Sequence, residues 1–215
     1  MTSEMKFSEL VITPSTVPGW PVKACVGLFC IGLLALYLPL GVLGLGLLIY
    51  IVLILRVTVQ PESYIRPDET VYAPVDGRII SVDESSDGTK TVILQPDLFD
   101  SHLHYAPVAG QLEDITWVDG SFKFKALDGV SNDLLVRREI TWRTKKGHRV
   151  EMTQFGDKWC RLIQCFLREG RQTIVSDPAG LALFRGMVMV TFITSAPLNV
   201  VPGQRCLAAQ TQLGQ

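Results

Sequence analysis

The apolar positions of this chain follow two patterns that meet near Arg56. From Ala24 to Leu55 there is no charged residue, and Lys23 and Arg56 bracket the run. A stretch of this kind leaves water. One straight helix of that length would measure about 48 Å at about 1.5 Å per residue, well beyond a hydrocarbon core of about 30 Å. Pro39 with Gly41, Gly44 and Gly46 supplies a break in the middle, giving arms of Ala24 to Leu38 and Val42 to Leu55. Each arm reaches about 22 Å, so the expectation is a hydrophobic helical hairpin. It is either re-entrant or forms two thin transmembrane helices with local bilayer thinning. A cation at both ends puts both flanks on the cytoplasmic side of an inner or cytoplasmic membrane. A cleaved signal peptide fits less well, because the run starts late, is too long and lacks a small-x-small exit before Arg56.

After Arg56 the pattern changes to short alternating runs separated by turn residues. Thr91 to Leu94, Val150 to Phe155 and Met187 to Ile193 read as strands. Turn pairs fall at Asp76-Gly77, Asp87-Gly88, Asp119-Gly120, Asp128-Gly129, Lys146-Gly147, Glu169-Gly170 and Pro202-Gly203. No long amphipathic helix is expected here. The segment Leu198 to Leu213 reads as a closing hairpin of the kind that recurs in barrel-sandwich folds, and without a Lys at its tip it is no biotinyl or lipoyl carrier. The fold class expected is mainly β: a barrel-sandwich-like β domain preceded by a hydrophobic helical hairpin. The expected divisions are an N-terminal segment 1–22, a membrane hairpin 23–57 and a β-rich domain 58–215.

Charge and cysteine usage narrow the function classes. With 20 basic and 21 acidic side chains, the chain as a whole has no electrostatic bias, and no nucleic-acid partner is expected. The densest basic stretch, Arg137, Arg138, Arg143, Lys145, Lys146 and Arg149, is interrupted by Glu139, Ile140 and Trp142. It reads as the solvated edge of a hairpin or, second, as a patch facing anionic lipid. Cys25, Cys30, Cys160, Cys165 and Cys206 are too scattered for a disulfide scaffold. Cys160 and Cys165 have opposite strand parity and no His near them in sequence, so small apolar packing is the better reading and no metal site is expected.

Taken alone, Asp76 before Gly77 is a common turn residue, and His102 and His104, two apart, share one strand face as a packed pair or half of a metal site. His148 after Gly147 is a turn residue. The order of motifs says more. Ala73-Pro74-Val75-Asp76-Gly77-Arg78 resembles the A-P-x-D-G-x-V element of phosphatidylserine decarboxylases, and Leu94-Gln95-Pro96 with Asp100-Ser101-His102-Leu103-His104-Tyr105-Ala106-Pro107 resembles their L-S-P and D-x-H-x-x-x-A-P elements. Val59 to Pro67 stands where the short members carry an Arg- and Pro-rich linker, and Asn132 stands where they have N-E-R. Gln154-Phe155-Gly156 with Arg161-Leu162-Ile163 loosely matches Q-x-x-G-x-x-A-R-R-I, and Asp177 to Phe184 tracks the D-x-x-G-M-I-x-F approach to the processing site. The resemblance covers nearly the whole chain.

The resemblance implies a chemistry. In that family a Ser after a Gly attacks the preceding carbonyl with the help of a His and an Asp, and the ester eliminates to leave a pyruvoyl group that decarboxylates the lipid through a Schiff base. Asp76 and His102 match the acid and base. Phe184-Arg185-Gly186-Met187 stands where F-G-S-R is expected, so Gly186, or Met187 if the alignment slips by one, takes the place of the Ser. Neither can perform the acyl shift. Ser176 and Ser195 are poorly placed substitutes, and Trp159-Cys160-Arg161 replaces the Ala-Arg-Arg element. The expectation is therefore a family member linked to phospholipid metabolism, unprocessed and without a pyruvoyl cofactor: a lipid-binding or regulatory pseudoenzyme. Its expected partners are membrane phospholipid and an active paralogue or a second copy of itself. The alternatives are an active carboxy-lyase with an unconventional processing site, carrying pyruvoyl, and a structural membrane protein.

Overall fold

A computed structural model describes residues 20–54, 69–120, 135–156, 160, 162–183 and 186–214. The linker Val59 to Pro67, Asn132, the Asp128-Gly129 pair, Trp159, Arg161, Phe184 and Arg185 lie outside the described residues. The chain divides into two compact units, Met1–Val57 and Thr58–Gln215.

The first unit contains two helices, α1 (Trp20–Leu36) and α2 (Leu38–Ile54). They are separated at Tyr37, so the break comes two residues before Pro39. The sequence reading put it too late for a physical reason: a proline lacks only a donor that the first turn leaves unused, so it opens a helix as readily as it ends one. Gly41, Gly44 and Gly46 accordingly lie inside α2. Gly44 brings the two helices together, since the Cys30 thiol donates to its carbonyl at 2.7 Å and a Cβ there would stand 3.1 Å from that sulfur. Many of the described apolar side chains point outward, Leu28, Leu43 and Leu47 among them. Each helix has 17 residues and so extends about 25 Å. No helix among the described residues is long and apolar enough to cross a membrane, which corrects the expectation of two transmembrane helices.

The second unit is mainly β, with three antiparallel sheets and no helix among its described residues. Eight strands form the largest: β2 (Gly77–Glu84), β3 (Thr89–Gln95), β5 (Gly110–Val118), β6 (Arg137–Arg143), β7 (Arg149–Phe155), β9 (Gln172–Thr173), β11 (Val188–Ile193) and β12 (Arg205–Cys206). Their order is β12-β2-β3-β11-β7-β6-β5-β9, so the three strands read from the sequence, β3, β11 and β7, are neighbours at its centre. Alternation fixes which face is buried. Val82, Val92, Val190, Met152, Ile140 and Ile115 stand opposite one another in one row across six strands, and they belong to the core or pack on it. The basic stretch forms the β6–β7 hairpin, with His148 in its exposed turn and Arg138 lying 5.0 Å over the Trp117 ring.

A second sheet, β4 (Leu103–Tyr105), β10 (Pro178–Ala182) and β8 (Ile163–Cys165), runs in the order β4-β10-β8, and β1 (Val71–Tyr72) pairs with β13 (Gln212–Gly214). Two turn readings need correction. The Leu198 to Leu213 segment is not a hairpin closed on itself, because β12 pairs with β2 and β13 with β1. Its short strands complete edges left open at the start of the domain, where their backbone groups find partners. Gly77 is likewise no turn residue but the first residue of β2, where a Cβ would collide with the Gln95 carbonyl. By contrast Gly88, Gly147, Gly170 and Gly203 have φ between 78° and 89°, as tight turns require.

Candidate functional site

Asp76 lies in the segment between β1 and β2, buried, and its Oδ1 accepts from the Ala208 backbone N–H at 2.8 Å. The C-terminal segment therefore holds the carboxylate. Cys206 in the same segment is also buried. Its thiol contacts the Val75 and Gly77 carbonyls at 3.6 and 3.4 Å, and its pKa is pushed up to about 12 by burial first and by the nearby Asp76 and Asp100 carboxylates second. Asp100 receives the Arg205 guanidinium and accepts from the Asp97 N–H at 2.9 Å through its other oxygen. Asp76, Asp100, Arg205 and Cys206 thus form one polar end of the site. Sequence reading missed Cys206 and Arg205 because only the tertiary return of the C-terminus brings them there.

His102 is fully buried just before β4. Its carbonyl accepts from Ala182 N at 3.3 Å, and the Tyr105 N–H donates to Pro74 O at 2.8 Å, so this strand runs between the Asp76 segment and β10. His104 pairs with Gly180 across β4 and β10. Gln154 Nε2 lies 2.7 Å from His104 Nδ1. An amide nitrogen only donates, so His104 accepts at Nδ1 and carries its proton on Nε2. Burial, with His102 beside it, pushes the His104 pKa down to about 3, so the ring is neutral. Gly180 makes this packing possible: a Cβ there would stand 2.9 Å from Gln154 Nε2 and collide with the Gln164 carbonyl. Of the two histidines read as a pair, His104 belongs to a buried hydrogen-bonded couple, with no group of three or more His, Cys, Asp or Glu poised for a metal among the described residues. Gln154 had a signal in the sequence, since it continues the inward positions Val150 and Met152 with a polar side chain.

Gly186 and Met187 lie immediately before β11, at the other end of the site. Gly186 is buried. A Cβ built on it would stand 2.6 Å from Cys160 Sγ, 2.9 Å from Ala182 Cβ and 3.2 Å from the Phe155 carbonyl oxygen. Cys160, Val136, Ile163 and Ala182 form a small apolar cluster there. Met187 donates no side-chain chemistry, but its carbonyl accepts from Phe155 N at 2.9 Å. Ser176 sits in the turn before β10 with φ 84°, and Ser195 is exposed beyond β11. Cys165 lies on β8, its pKa raised by burial.

Sequence comparison gives the arrangement its context. Residues 54–214 match the family model described as phosphatidylserine decarboxylase. A phosphatidylserine decarboxylase proenzyme of Xanthobacter autotrophicus is 30% identical over 94% of this chain and 91% of the relative. Proteins of the same description from Symbiobacterium thermophilum and Nitrosomonas eutropha are 28% and 29% identical, each over 92% of this chain and 93% of the relative. The match spans the described residues of the β unit and includes Asp76, His102 and Gly186. The chain belongs to the phosphatidylserine decarboxylase family.

Proposed function

We propose that the chain is an unprocessed member of its family: a membrane-associated, phospholipid-binding or regulatory pseudoenzyme built on a β domain of the barrel-sandwich type. The observation that carries this reading is position 186. The family's pyruvoyl group arises from a side-chain hydroxyl, and Gly186 has none. The residues present do not fit the group, because the space a Cβ would take is already filled by Cys160 and Ala182. Met187, the alternative position, has a thioether that cannot act as an acyl acceptor.

What the domain keeps supports lipid recognition. Asp76, which holds the Ala208 N–H, and His102 are kept as buried polar groups with partners of their own in a packed interior, so the polar arrangement persists although position 186 has no hydroxyl. The outward apolar side chains of α1 and α2 support attachment to a membrane, with the hairpin dipping into one leaflet as a re-entrant pair and the β domain on the cytoplasmic face. A phospholipid head group is the ligand class proposed, and an active paralogue or a second copy of the chain is the proposed partner.

A second reading has one observation in its favour. The acid and base positions are retained, and the relatives are described as proenzymes, which supports an active carboxy-lyase cut at another serine. Intact mass of the detergent-purified full-length protein separates the two. The pseudoenzyme reading expects one chain of 23.8 kDa; two fragments split between Asp177 and Ser195, the smaller lacking a free amine, would establish the active enzyme instead. Co-sedimentation with vesicles containing phosphatidylserine, against vesicles of phosphatidylcholine alone, then reads the lipid.

A further inference from the structure

We propose that Cys160 occupies the space a processing side chain needs, so that the site is closed at two positions and reopening it takes two substitutions. The inference rests on the unprocessed reading and deepens it. If the serine alone had been lost, Gly186 would face the room the hydroxyl once required. Instead its Cβ position lies 2.6 Å from Cys160 Sγ, well inside the contact distance of carbon and sulfur. Cys160 cannot easily withdraw, being fully buried in the cluster with Val136, Ile163 and Ala182, and buried side chains leave their rotamer wells only at a cost. The Ala182 methyl, 2.9 Å away, has no rotamer to change and must also shift, but the sulfur is both the nearer and the larger atom and makes the deeper overlap. The sulfur is therefore the principal block.

The consequence is asymmetric. In Gly186→Ser the hydroxyl has no room, and the added atoms overpack the cluster. In Gly186→Ser combined with Cys160→Ala the space opens, while Asp76 and His102 remain in place. The introduced Oγ can then attack the carbonyl carbon of residue 185 as its proton passes through a base to the nitrogen of residue 186, so that a C–O ester bond replaces the C–N amide bond. Loss of the Cα proton of residue 186 expels the carboxylate of residue 185. The enamine left behind tautomerises to an imine, and water hydrolyses it, releasing ammonia and leaving a ketone at the new chain end.

The test is a four-member set of full-length chains in detergent: wild type, Gly186→Ser, Cys160→Ala and the double variant, each read by intact mass and by thermal unfolding. The double variant is expected to appear as pieces 1–185 and 186–215, the latter without a free amine, while the other three stay whole. Gly186→Ser should lower Tm by about 5 °C, and Cys160→Ala should return at least half of that loss. If Gly186→Ser is cut as completely as the double variant, or a folded double variant stays whole, the inference is overturned. Should the double variant fail to fold, or should Gly186→Ser lower Tm equally with and without Cys160, the sulfur is not the block and the inference falls. A wild-type chain already in two pieces would sink the unprocessed reading, while the thermal comparison still decides the steric claim.

Discussion

The two ends of the candidate site have been treated differently by the same sequence. Around Asp76 the interior is polar and held: a carboxylate bonded to a backbone N–H, a second carboxylate paired with Arg205, and a thiol kept protonated by burial and negative neighbours. Around Gly186 it is apolar and closed, with sulfur and methyl groups packed where a side chain would project. A polar interior is costly to keep, whereas a closed apolar one is stable by default. Retention of the first beside closure of the second is the contrast on which the proposed loss of processing rests: polar groups are kept at one end while the other has no room for a side chain.

The strand between the two ends offers the sharpest way to break that comparison. Gly180 on β10 lies against both the Gln164 backbone and the Gln154 amide that bonds His104. Gly180→Ala is expected to destabilise the domain by about 3 kcal/mol, at the upper end of overpacking, because backbone cannot move aside. Denaturant midpoints measure it, and an unchanged midpoint would mean that the close approach is not there.

At the polar end, Asp76→Ala leaves the Ala208 N–H buried without its acceptor and is expected to cost about 2 kcal/mol. It should also let the Cys206 pKa fall somewhat below about 12, since Asp76 is one of its causes, though burial, the larger cause, remains. Thiol titration by ultraviolet absorbance, with the other cysteines replaced, reads that shift. A stability equal to wild type would mean that the Ala208 N–H does not depend on the Asp76 carboxylate and that the polar end is not held by it.

Much of the fold was legible, and the reasons for what was not are physical. Strand positions followed from alternation alone, as with Val150, Met152 and Gln154 on one face of β7. The partner of each short edge strand did not, because Arg205–Cys206 carries too few residues to encode register. The helix break was misplaced by two residues, since Pro39 suits a first turn as well as an end. In the site, Asp76, His102 and Gly186 came from motif order, while Cys160 was read only as packing: its contact with Gly186 joins residues 26 apart through β10, and no local pattern records that.

His104 sharpens the comparison through pH. Its folded pKa of about 3 lies below the ordinary 6.5, so the unfolded chain binds the proton first. Stability from the neutral ring is therefore complete above about pH 6.5 and is lost progressively as pH falls toward 3. In Tm measured from pH 7.5 down to 4, His104→Gln should show a shallower decline than wild type. Equal slopes would mean that the ring titrates in the folded state and that the middle strand is open to water.

The smallest effect is expected at the rim of the polar end, where Arg78 Nε meets Asp97 Oδ2 at 3.3 Å with both side chains about half exposed. Solvent screens such a pair and side-chain entropy opposes it, so Arg78→Ala should change stability by less than about 1 kcal/mol. Arg205 differs by having its partner Asp100 nearly buried, 3% exposed against 43% for Asp97. Removing Arg205 leaves that carboxylate in the interior without its cation, whereas removing Arg78 leaves Asp97 in water. Arg205→Ala should therefore lower the denaturant midpoint more than Arg78→Ala does. Equal effects would mean that Asp100 is hydrated, and the polar end would then be a surface cluster rather than part of a retained site.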